Sequence, residues 1–284
     1  MQTLSRINEL KNALLVHRLG GQKIAFVPTM GNLHAGHMSL VSKAREIADI
    51  VVVSIFVNPL QFGANEDLDK YPRTLEEDSR QLTAAGVKYL FTPTVNEIYP
   101  QGMTSHTQVV VPEITSNHCG SSRPGHFNGV STVVNKLFNI VQPDIAIFGQ
   151  KDFQQLAVIR KMVSDLCMPV QIIGVSTGRA DDGLALSSRN QYLDKTERKI
   201  APLLYQTLLE SRHALQTGHS SLADIRTKSV NTLEKGGFVV DYFNICDALT
   251  LAEPSPDTQE MVILVAAYLG KTRLIDNLSF SIEP

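Results

Sequence analysis

The sequence has few cysteines and no long apolar run, and each scarcity argues against a class of protein. Its 284 residues include three cysteines, an odd number without metal-ligand spacing. This argues against a disulfide framework and a zinc site, and it favours a reducing, cytoplasmic setting. No apolar run approaches the ~18 residues of a membrane span, and the N-terminus lacks the charged-then-apolar pattern of a signal peptide. We therefore expect a cytoplasmic protein without a membrane partner.

The sequence also has no large excess of positive or negative charge. The formal net charge is −2 and the sequence pI is about 6.4, so a broad basic surface is not available for nucleic acid. This weighs against an enzyme that acts on tRNA. The hydrophobic content of 43% is enough for a large core, and the length suggests about two domains.

What is present predicts an α/β fold. Nearly continuous apolar runs, typical of strands buried on both faces of a parallel sheet, alternate with segments of helical periodicity. We expect a Rossmann-like, doubly wound parallel sheet in residues 1–177 and a smaller α+β domain in 178–284. The predicted strands are 23–27, 49–57, 87–92, 144–148 and 169–176, an edge strand at 105–112, and C-terminal strands at 238–246, 261–268 and 272–275. The predicted C-terminal helices are 196–216 and 221–235.

The first predicted strand is joined to an amphipathic helix by residues 28–37, Pro-Thr-Met-Gly-Asn-Leu-His-Ala-Gly-His. We expect the strand to stop at Pro28. The first-turn amides and the dipole of such a helix favour an anion such as phosphate. Gly31 and Gly36 lack the Cβ that would keep a nucleotide from the backbone. His34 and His37 are three residues apart, which on a helix places both imidazoles on one face. We expect neutral histidines that donate to phosphate oxygens; the alternative is that they only cap the helix.

Polar side chains also follow two other predicted strands. Asn58 and Gln61 come after the second strand, at the edge where doubly wound sheets bind ligands, although loop residues can also satisfy their own backbone. Further along the chain, Lys151 offers a mobile cation to phosphates and Asp152 an acceptor for ribose hydroxyls. Gln155 lies one turn further along. Together with the histidines, this second segment supplies the positive charge that a nucleotide needs.

A loop rich in hydroxyls and charge, residues 178–190, follows the last predicted strand of the sheet. Ser187 and Ser188 can donate to a polyphosphate, and Arg189 can bind two of its oxygens as the loop closes and excludes water. The rival explanation is that Ser188 serves as a helix N-cap.

Two further features have structural explanations that compete with functional ones. Glu76, Glu77 and Asp78 begin a predicted helix, where the dipole favours acidic residues; we expect a solvated face, with a magnesium site as the alternative. Arg123 and His126 belong to a stiff loop that they either anchor or use to contact a ligand, and we favour anchoring.

The paired histidines resemble the His-x-Gly-His signature of the class I nucleotidyl-transfer superfamily. Over essentially its whole length, the chain resembles the pantoate-β-alanine ligase (pantothenate synthetase) family. The motifs that carry this resemblance are residues 28–37, 56–62 (FVNPLQF), 123–127 (RPGHF), 149–152 (GQKD), 182–190 (DGLALSSRN) and 273–277 (RLIDN).

The resemblance implies a condensation of pantoate with β-alanine that consumes ATP in the presence of Mg²⁺, passes through an enzyme-bound pantoyl adenylate, and releases AMP and pyrophosphate. It implies that the phosphates are contacted by His34, His37, Lys151, Ser187, Ser188 and Arg189. Further ATP contacts are implied at Met30, Gly31, Asn32, Leu33, Ala35, Gly36, Gly149, Gln150, Asp152, Gly178 and Leu186. Contacts to pantoate or β-alanine are implied at Met30, Asn58, Gln61, Gln155, Val133 and Val134. Protein ligands of the metal are not assigned.

The expected partners are these small molecules and a second copy of the chain, because the resemblance and the predicted edge strand both favour a homodimer. The nearest alternative is an adenylyltransferase of the same superfamily that keeps the adenylyl group in its product. A non-catalytic nucleotide sensor is an alternative of a different class.

Overall fold

A computed structural model describes residues 1–63, 68–218 and 220–282. The strands are β1 (Gln2–Leu4), β2 (Ile24–Thr29), β3 (Ile50–Ile55), β4 (Tyr89–Phe91), β5 (Ile145–Gly149), β6 (Gln171–Val175), β7 (Phe238–Asp247), β8 (Glu260–Leu269) and β9 (Thr272–Ser281). The helices are α1 (Ile7–Leu19), α2 (Ala35–Ile47), α3 (Leu75–Ala84), α4 (Val95–Ile98), α5 (Cys119–Ser122), α6 (His126–Val141), α7 (Phe153–Asp165), α8 (Lys195–Ile200), α9 (Leu203–Thr217) and α10 (Leu222–Lys235). Short 3₁₀ helices occupy Pro59–Gln61, Leu68–Lys70, Gln150–Asp152 and Ser188–Tyr192.

The contacts divide the chain into two compact units. Unit 1 comprises Met1–Pro112, Arg123–Gln150 and Gln155–Ser176. Unit 2 comprises Glu113–Ser122, Lys151–Gln154 and the chain from Thr177 onward. Across the described ranges, the structure contains no helix that combines the length and the apolar character needed to cross a bilayer.

Unit 1 is built on a six-stranded sheet in the order β1-β4-β3-β2-β5-β6, with every pair parallel. The chain runs from β2 outward through β3 to β4, and then returns to place β5 and β6 on the other side of β2. The order therefore reverses between β2 and β5, which is the point where open α/β sheets bind ligands. This confirms the predicted doubly wound, Rossmann-like fold.

The strands form a central sheet because both of their faces are covered. Residues of one face, among them Val27 and Val53, belong to a core cluster that also includes Val41 of α2 and Leu82 of α3. On the alternate face, the ring of Phe138 from α6 contacts the rings of Phe26 and Phe148, with centroid distances of 6.4 Å and 6.3 Å. Helices on both faces explain why the strand sequences are almost continuously apolar.

The prediction that the first strand stops before Pro28 is wrong. β2 continues through Pro28 to Thr29, and both residues pair with β3. The Thr29 carbonyl accepts a hydrogen bond from the Phe56 amide, so by strand alternation the Pro28 nitrogen faces away from β3. On that other side, the pairing of β2 with β5 ends at Phe26. The missing N–H of proline therefore removes no ladder bond.

The expected edge strand at 105–112 is also wrong, because this segment is irregular. Its backbone groups bond to hydroxyls of α6 instead of to a strand: the Val109 amide donates to Thr132 Oγ1 over 2.9 Å, and Ser131 Oγ donates to the Val109 carbonyl over 2.5 Å. One actual edge strand is β1, which pairs with β4 and spans only three residues. A strand of that length carries too little periodicity to be recognised from sequence.

Unit 2 contains the antiparallel sheet β7-β8-β9 with α9 and α10 packed against it, as the sequence predicts. Leu208 of α9, Leu233 of α10 and Ile263 of β8 are fully buried in its core. The helix expected at 196–216 is divided into α8 and α9 at Pro202, since proline cannot donate the helical hydrogen bond.

Candidate active site

The paired histidines lie at the N-terminus of α2, which follows the carboxyl end of β2. His34 is the N-cap residue, with φ −134° and ψ 176°, and its Nδ1 accepts from the Gly36 amide over 3.1 Å. His37 lies in the first turn, and its Nδ1 accepts from the His34 amide over 3.4 Å. The two ring centroids are 4.1 Å apart. Because each Nδ1 is an acceptor, a neutral ring carries its proton on Nε2.

The two rings therefore lie together, as their spacing predicts, but the local reason differs from the one expected. His34 is outside the helix, and the pair is brought together by reciprocal capping rather than by two helical positions. The capping and phosphate-binding interpretations do not compete, because the capping bonds use Nδ1, whereas the donor of a neutral ring with this tautomer is Nε2.

A buried carboxylate supports the loop before α2. Gly31 and Asn32 have φ values of 82° and 51°, in the left-handed region. Asp78 of α3 is 1% exposed and accepts from the Asn32 amide over 2.9 Å, from the Leu33 amide over 2.8 Å and from Thr74 Oγ1 over 3.2 Å. The expectation that Asp78 lies on a solvated helix face is wrong, because its oxygens satisfy backbone donors of the histidine loop.

We expect Asp78→Asn to loosen the histidine loop. An amide cannot accept at both of its terminal atoms, so one buried donor among the Asn32 and Leu33 amides and the Thr74 hydroxyl loses its acceptor, at a cost of about 1–3 kcal/mol in the free energy of unfolding. Denaturant unfolding measures this loss. The matched control is Glu76→Gln on the exposed side of the same helix, which should change stability by less than about 0.5 kcal/mol. Equal stability of the two variants would contradict the supporting role.

A second group of predicted residues follows β3. The Asn58 side chain is 1% exposed; its Nδ2 donates to the Gln61 Oε1 over 3.2 Å and to the Gly129 carbonyl over 3.1 Å. Its Oδ1 accepts from the Tyr99 hydroxyl over 2.9 Å. Burial raises the pKa of Tyr99 well above its usual range, so this hydroxyl stays a donor. Gln61 Nε2 in turn lies 3.0 Å from Met30 Sδ. Residues from the ends of β2 and β3 thus contact each other directly.

Helix α6 approaches the Asn58–Gln61 turn unusually closely. A Cβ on Gly129 would lie 2.5 Å from the carbonyl carbon of Leu60 and 2.8 Å from the amide nitrogen of Gln61. Only glycine permits this approach, because both neighbours are backbone atoms. The predicted apolar wall, Val133 and Val134, lies one turn further along α6, where each valine is 5% exposed.

Arg123 and His126 contact the same turn from its other side. The Gln61 carbonyl accepts from His126 Nδ1 over 2.7 Å, and His126 Nε2 accepts from Arg123 Nη1 over 3.0 Å. A longer bond of 3.4 Å joins Arg123 Nη2 to the same carbonyl. These contacts fit the anchoring role that we favoured for both residues.

The second predicted segment begins where β5 ends at Gly149. Gly149, Gln150 and Lys151 are half-buried, and Asp152 is exposed, at the start of a 3₁₀ helix that leads into α7. In unit 2, the Lys151 carbonyl accepts from Asn277 Nδ2 over 2.8 Å. The half-buried Gln155 lies in the first turn of α7.

The loop after β6 is a hydrogen-bonded hairpin in unit 2. The Leu186 amide donates to the Gly178 carbonyl over 2.8 Å, and Ser187 Oγ accepts from the Arg189 amide over 3.2 Å. Ser187 is therefore the N-cap of the 3₁₀ helix Ser188–Tyr192. The alternative that we assigned to Ser188 is therefore wrong, because the N-cap is its neighbour Ser187.

The structure divides the predicted residues into two groups, one in each unit. In unit 1 most of them follow the carboxyl ends of strands: the histidine loop follows β2, Asn58 and Gln61 follow β3, and Gly149 ends β5. Val133 and Val134 lie in α6, and Gln155 lies in α7. In unit 2 they comprise Lys151, Asp152, Gly178, Leu186, Ser187, Ser188 and Arg189. That both groups bind one nucleotide stays a prediction.

A doubly wound parallel sheet with a helix N-terminus beside its switch point is typical of proteins that bind a phosphate-bearing ligand there. A family model described as pantoate-beta-alanine ligase matches residues 2–279. The chain belongs to the pantoate-β-alanine ligase family and is an ATP-dependent ligase.

Individual relatives agree with this family over their full length. Pantothenate synthetase of Pseudomonas fluorescens (strain SBW25) is 57% identical over 283 residues and covers 100% of both chains. That of Marinobacter nauticus is 57% identical over 281 residues, covering 99% of this chain and 100% of the relative.

Solved structures of this family share the fold. Pantothenate synthetase from Thermus thermophilus matches with a TM-score of 0.91 and 47% identity, covering 98% of this chain and 99% of that one. Pantoate-beta-alanine ligase from Francisella tularensis, complexed with beta-gamma ATP and β-alanine, matches with a TM-score of 0.81 and 36% identity, covering 98% and 97%.

Proposed function

We propose that this chain joins pantoate to β-alanine in two steps on one site. The pantoate carboxylate attacks the α-phosphate of ATP, and pyrophosphate leaves. The β-alanine amine then attacks the acyl carbon of the pantoyl adenylate, and AMP leaves. The observation that carries the proposal is the pair of imidazoles, 4.1 Å apart, capping the helix at the switch point of the sheet.

The site needs donors and shape rather than a nucleophile of its own, because pantoate and β-alanine supply the attacking groups. The Nε2–H groups of His34 and His37 donate to phosphate oxygens as charge develops on them, and this electrostatic stabilisation is the main source of catalysis in phosphoryl-type transfer. Lys151, Ser187, Ser188 and Arg189 complete the proposed phosphate clamp. Backbone and side chains of 30–37, 149–152, Gly178 and Leu186 bind the rest of ATP, with Asp152 facing the ribose.

Pantoate binds in this proposal at the ends of β2 and β3. Gln61 and Gln155 hold its hydroxyls and its carboxylate, with Asn58 and Met30 beside them and Val133 and Val134 as the apolar wall. A neutral amide suits this substrate, since it donates to the carboxylate without neutralising the charge that must attack. The bonds of Asn58 to Gln61, Gly129 and Tyr99 support the proposal, because they fix the orientation of the turn.

Magnesium enters this proposal with ATP. Among the residues that the structure describes, no group of three or more His, Cys, Asp or Glu side chains is placed to hold a metal. Mg²⁺ usually keeps several waters and binds through substrate phosphates together with one or two carboxylates, and we assign no protein ligand to it. We also propose a homodimer, on family resemblance, and a cytoplasmic setting, which the three free cysteines support.

The test identifies the products. Protein, ATP, Mg²⁺ and pantoate are mixed with and without β-alanine. Without β-alanine we expect at most one equivalent of pyrophosphate per site and little free AMP; with it, we expect AMP, pyrophosphate and pantothenate in equal amounts. Turnover that forms pyrophosphate and an adenylylated product without AMP would identify the adenylyltransferase alternative, and nucleotide binding without turnover would identify the sensor.

A further inference from the structure

Two adjacent residues of β9, Asp276 and Asn277, connect separate parts of the proposed phosphate clamp. Both are buried polar side chains, with exposures of 4% and 6%. Neither belongs to the set of substrate-contacting residues proposed above. Buried polar groups of this kind cost free energy unless they are hydrogen-bonded, so their partners show what they do.

Asn277 holds the main chain of Lys151. Its Nδ2 donates to the Lys151 carbonyl over 2.8 Å, at the 3₁₀ helix between β5 and α7. The Lys151 side chain is long and flexible, so its reach is determined by where this main chain is fixed. On the other flank of the same segment, Gln154 is 5% exposed and bonds to the Ile114 and Asn117 carbonyls and the Cys119 amide.

Asp276 holds the base of the hairpin formed by residues 178–186, which leads directly into Ser187 and the 3₁₀ helix Ser188–Tyr192. It forms a bidentate ion pair with Arg179, with distances of 2.6 Å and 3.0 Å, and its Oδ1 also accepts from the Asn277 amide over 2.8 Å. The Arg179 guanidinium donates to the Gly183 carbonyl at the hairpin turn and lies 3.6 Å from the centroid of the Tyr205 ring. The side chains in this pair are 17% and 2% exposed, a setting in which a two-point contact also fixes geometry.

We propose that Asp276 and Asn277 are positioning residues of the ligase reaction. They fix to one strand the Lys151 main chain and the hairpin that immediately precedes Ser187, Ser188 and Arg189, so that these groups act on the same polyphosphate. This inference rests on the proposed function. It predicts that Asn277 affects the reaction rate by positioning Lys151, and not by changing the stability of the whole protein.

The test is a double-mutant cycle with Asn277→Ala and Lys151→Ala. The readout is the single-turnover rate of pyrophosphate release with saturating ATP and pantoate and without β-alanine. Asn277→Ala should slow this rate about 10-fold to 100-fold, the size of effect that follows when a catalytic group is misplaced by about 1 Å. In the Lys151→Ala background the same change should alter the rate by less than about twofold, because the group that it positions is gone.

Two further variants separate positioning from folding. Asn277→Asp keeps the shape but cannot donate to the Lys151 carbonyl when ionised, and it should be as slow as Asn277→Ala. The matched control is Asn244→Ala on β7 of the same sheet, whose Nδ2 makes a bond of equal length, 2.8 Å, to His118 Nδ1. Asn244→Ala should keep the rate within about twofold of the wild-type rate, even if it lowers the melting temperature as much as Asn277→Ala does.

The outcomes are distinguishable. If Lys151→Ala is slow but Asn277→Ala has the wild-type rate, the positioning role is overturned and the proposed function is not. The same holds if Lys151→Ala is slow and the losses of the two variants are fully additive in the double variant. A wild-type rate for Lys151→Ala removes the lysine from the proposed function and overturns the inference with it.

Discussion

His34→Asn should slow pantoyl adenylate formation by about 10²-fold to 10³-fold while leaving α2 capped. Asparagine is a good N-cap residue, and its Oδ1 can accept from the Gly36 amide in place of His34 Nδ1. It has no group at the position of Nε2, so the donor proposed for the phosphate is lost. The substitution therefore separates the two functions that the structure gives to one ring. The measurement is single-turnover pyrophosphate release with ATP and pantoate.

The matched variant for this prediction is His34→Ala, which removes the donor and the cap together. It should show the same kinetic loss plus a lower stability, by about 0.5–2 kcal/mol, from the missing cap. Thermal or denaturant unfolding of both variants measures that difference. A rate for His34→Asn within about threefold of the wild-type rate would show that His34 only caps the helix.

Gly129→Ala should disrupt the pantoate end of the site. The added Cβ meets the Leu60 carbonyl group and the Gln61 amide, both backbone atoms that cannot rotate away. Either α6 or the Asn58–Gln61 turn must move, and such overpacking costs about 1–3 kcal/mol or more. Because Asn58 Nδ2 also donates to the Gly129 carbonyl, the shift should disturb Gln61 as well. We expect a lower melting temperature and a KM for pantoate raised about tenfold or more, with a smaller change in the KM for ATP.

Gly20→Ala is the control for this substitution. Gly20 also has negative φ, and a Cβ there would find no neighbouring heavy atom closer than 3.4 Å. Its effect should stay within about 1 kcal/mol and leave both KM values unchanged. If Gly129→Ala behaves like Gly20→Ala, the close packing of α6 against the turn does not determine where Gln61 lies.

Local patterns in the sequence predict most of the fold. Continuous apolar runs identify the buried strands, and the break in character near residue 194 identifies the helices and the meander of the C-terminal part. The predictions are wrong where tertiary contacts, and not the local sequence, determine whether a segment forms a strand. Pro28 stays in β2 because β5 no longer pairs beside it. Val109 avoids a strand because the hydroxyls of α6 satisfy its backbone.

In the candidate site, too, some residues can be found from local sequence and others only from the structure. The histidine turn and the polar residues after β3 are visible in the sequence, because residue spacing and position after a strand are local properties. Asp78 and Asn277 are not, since each reaches its backbone partner across 45 residues or more. A buried carboxylate in a helix N-terminal turn looks like any solvated one until the loop that it holds is placed. Side chains that support a site from a distance therefore need coordinates to be found.

The way in which the chain passes between the two units has a consequence for how the protein is made. Segments 113–122 and 151–154 belong to unit 2, although they are synthesised before most of it. Cys119 Sγ lies 3.0 Å from the Tyr242 hydroxyl, a partner that leaves the ribosome 123 residues later. At about 5–20 residues per second, these early segments wait several seconds or more for their neighbours. A nascent chain that ends at residue 176 would therefore expose groups such as the Cys119 thiol and the Lys151 carbonyl, whose partners Tyr242 and Asn277 are synthesised later.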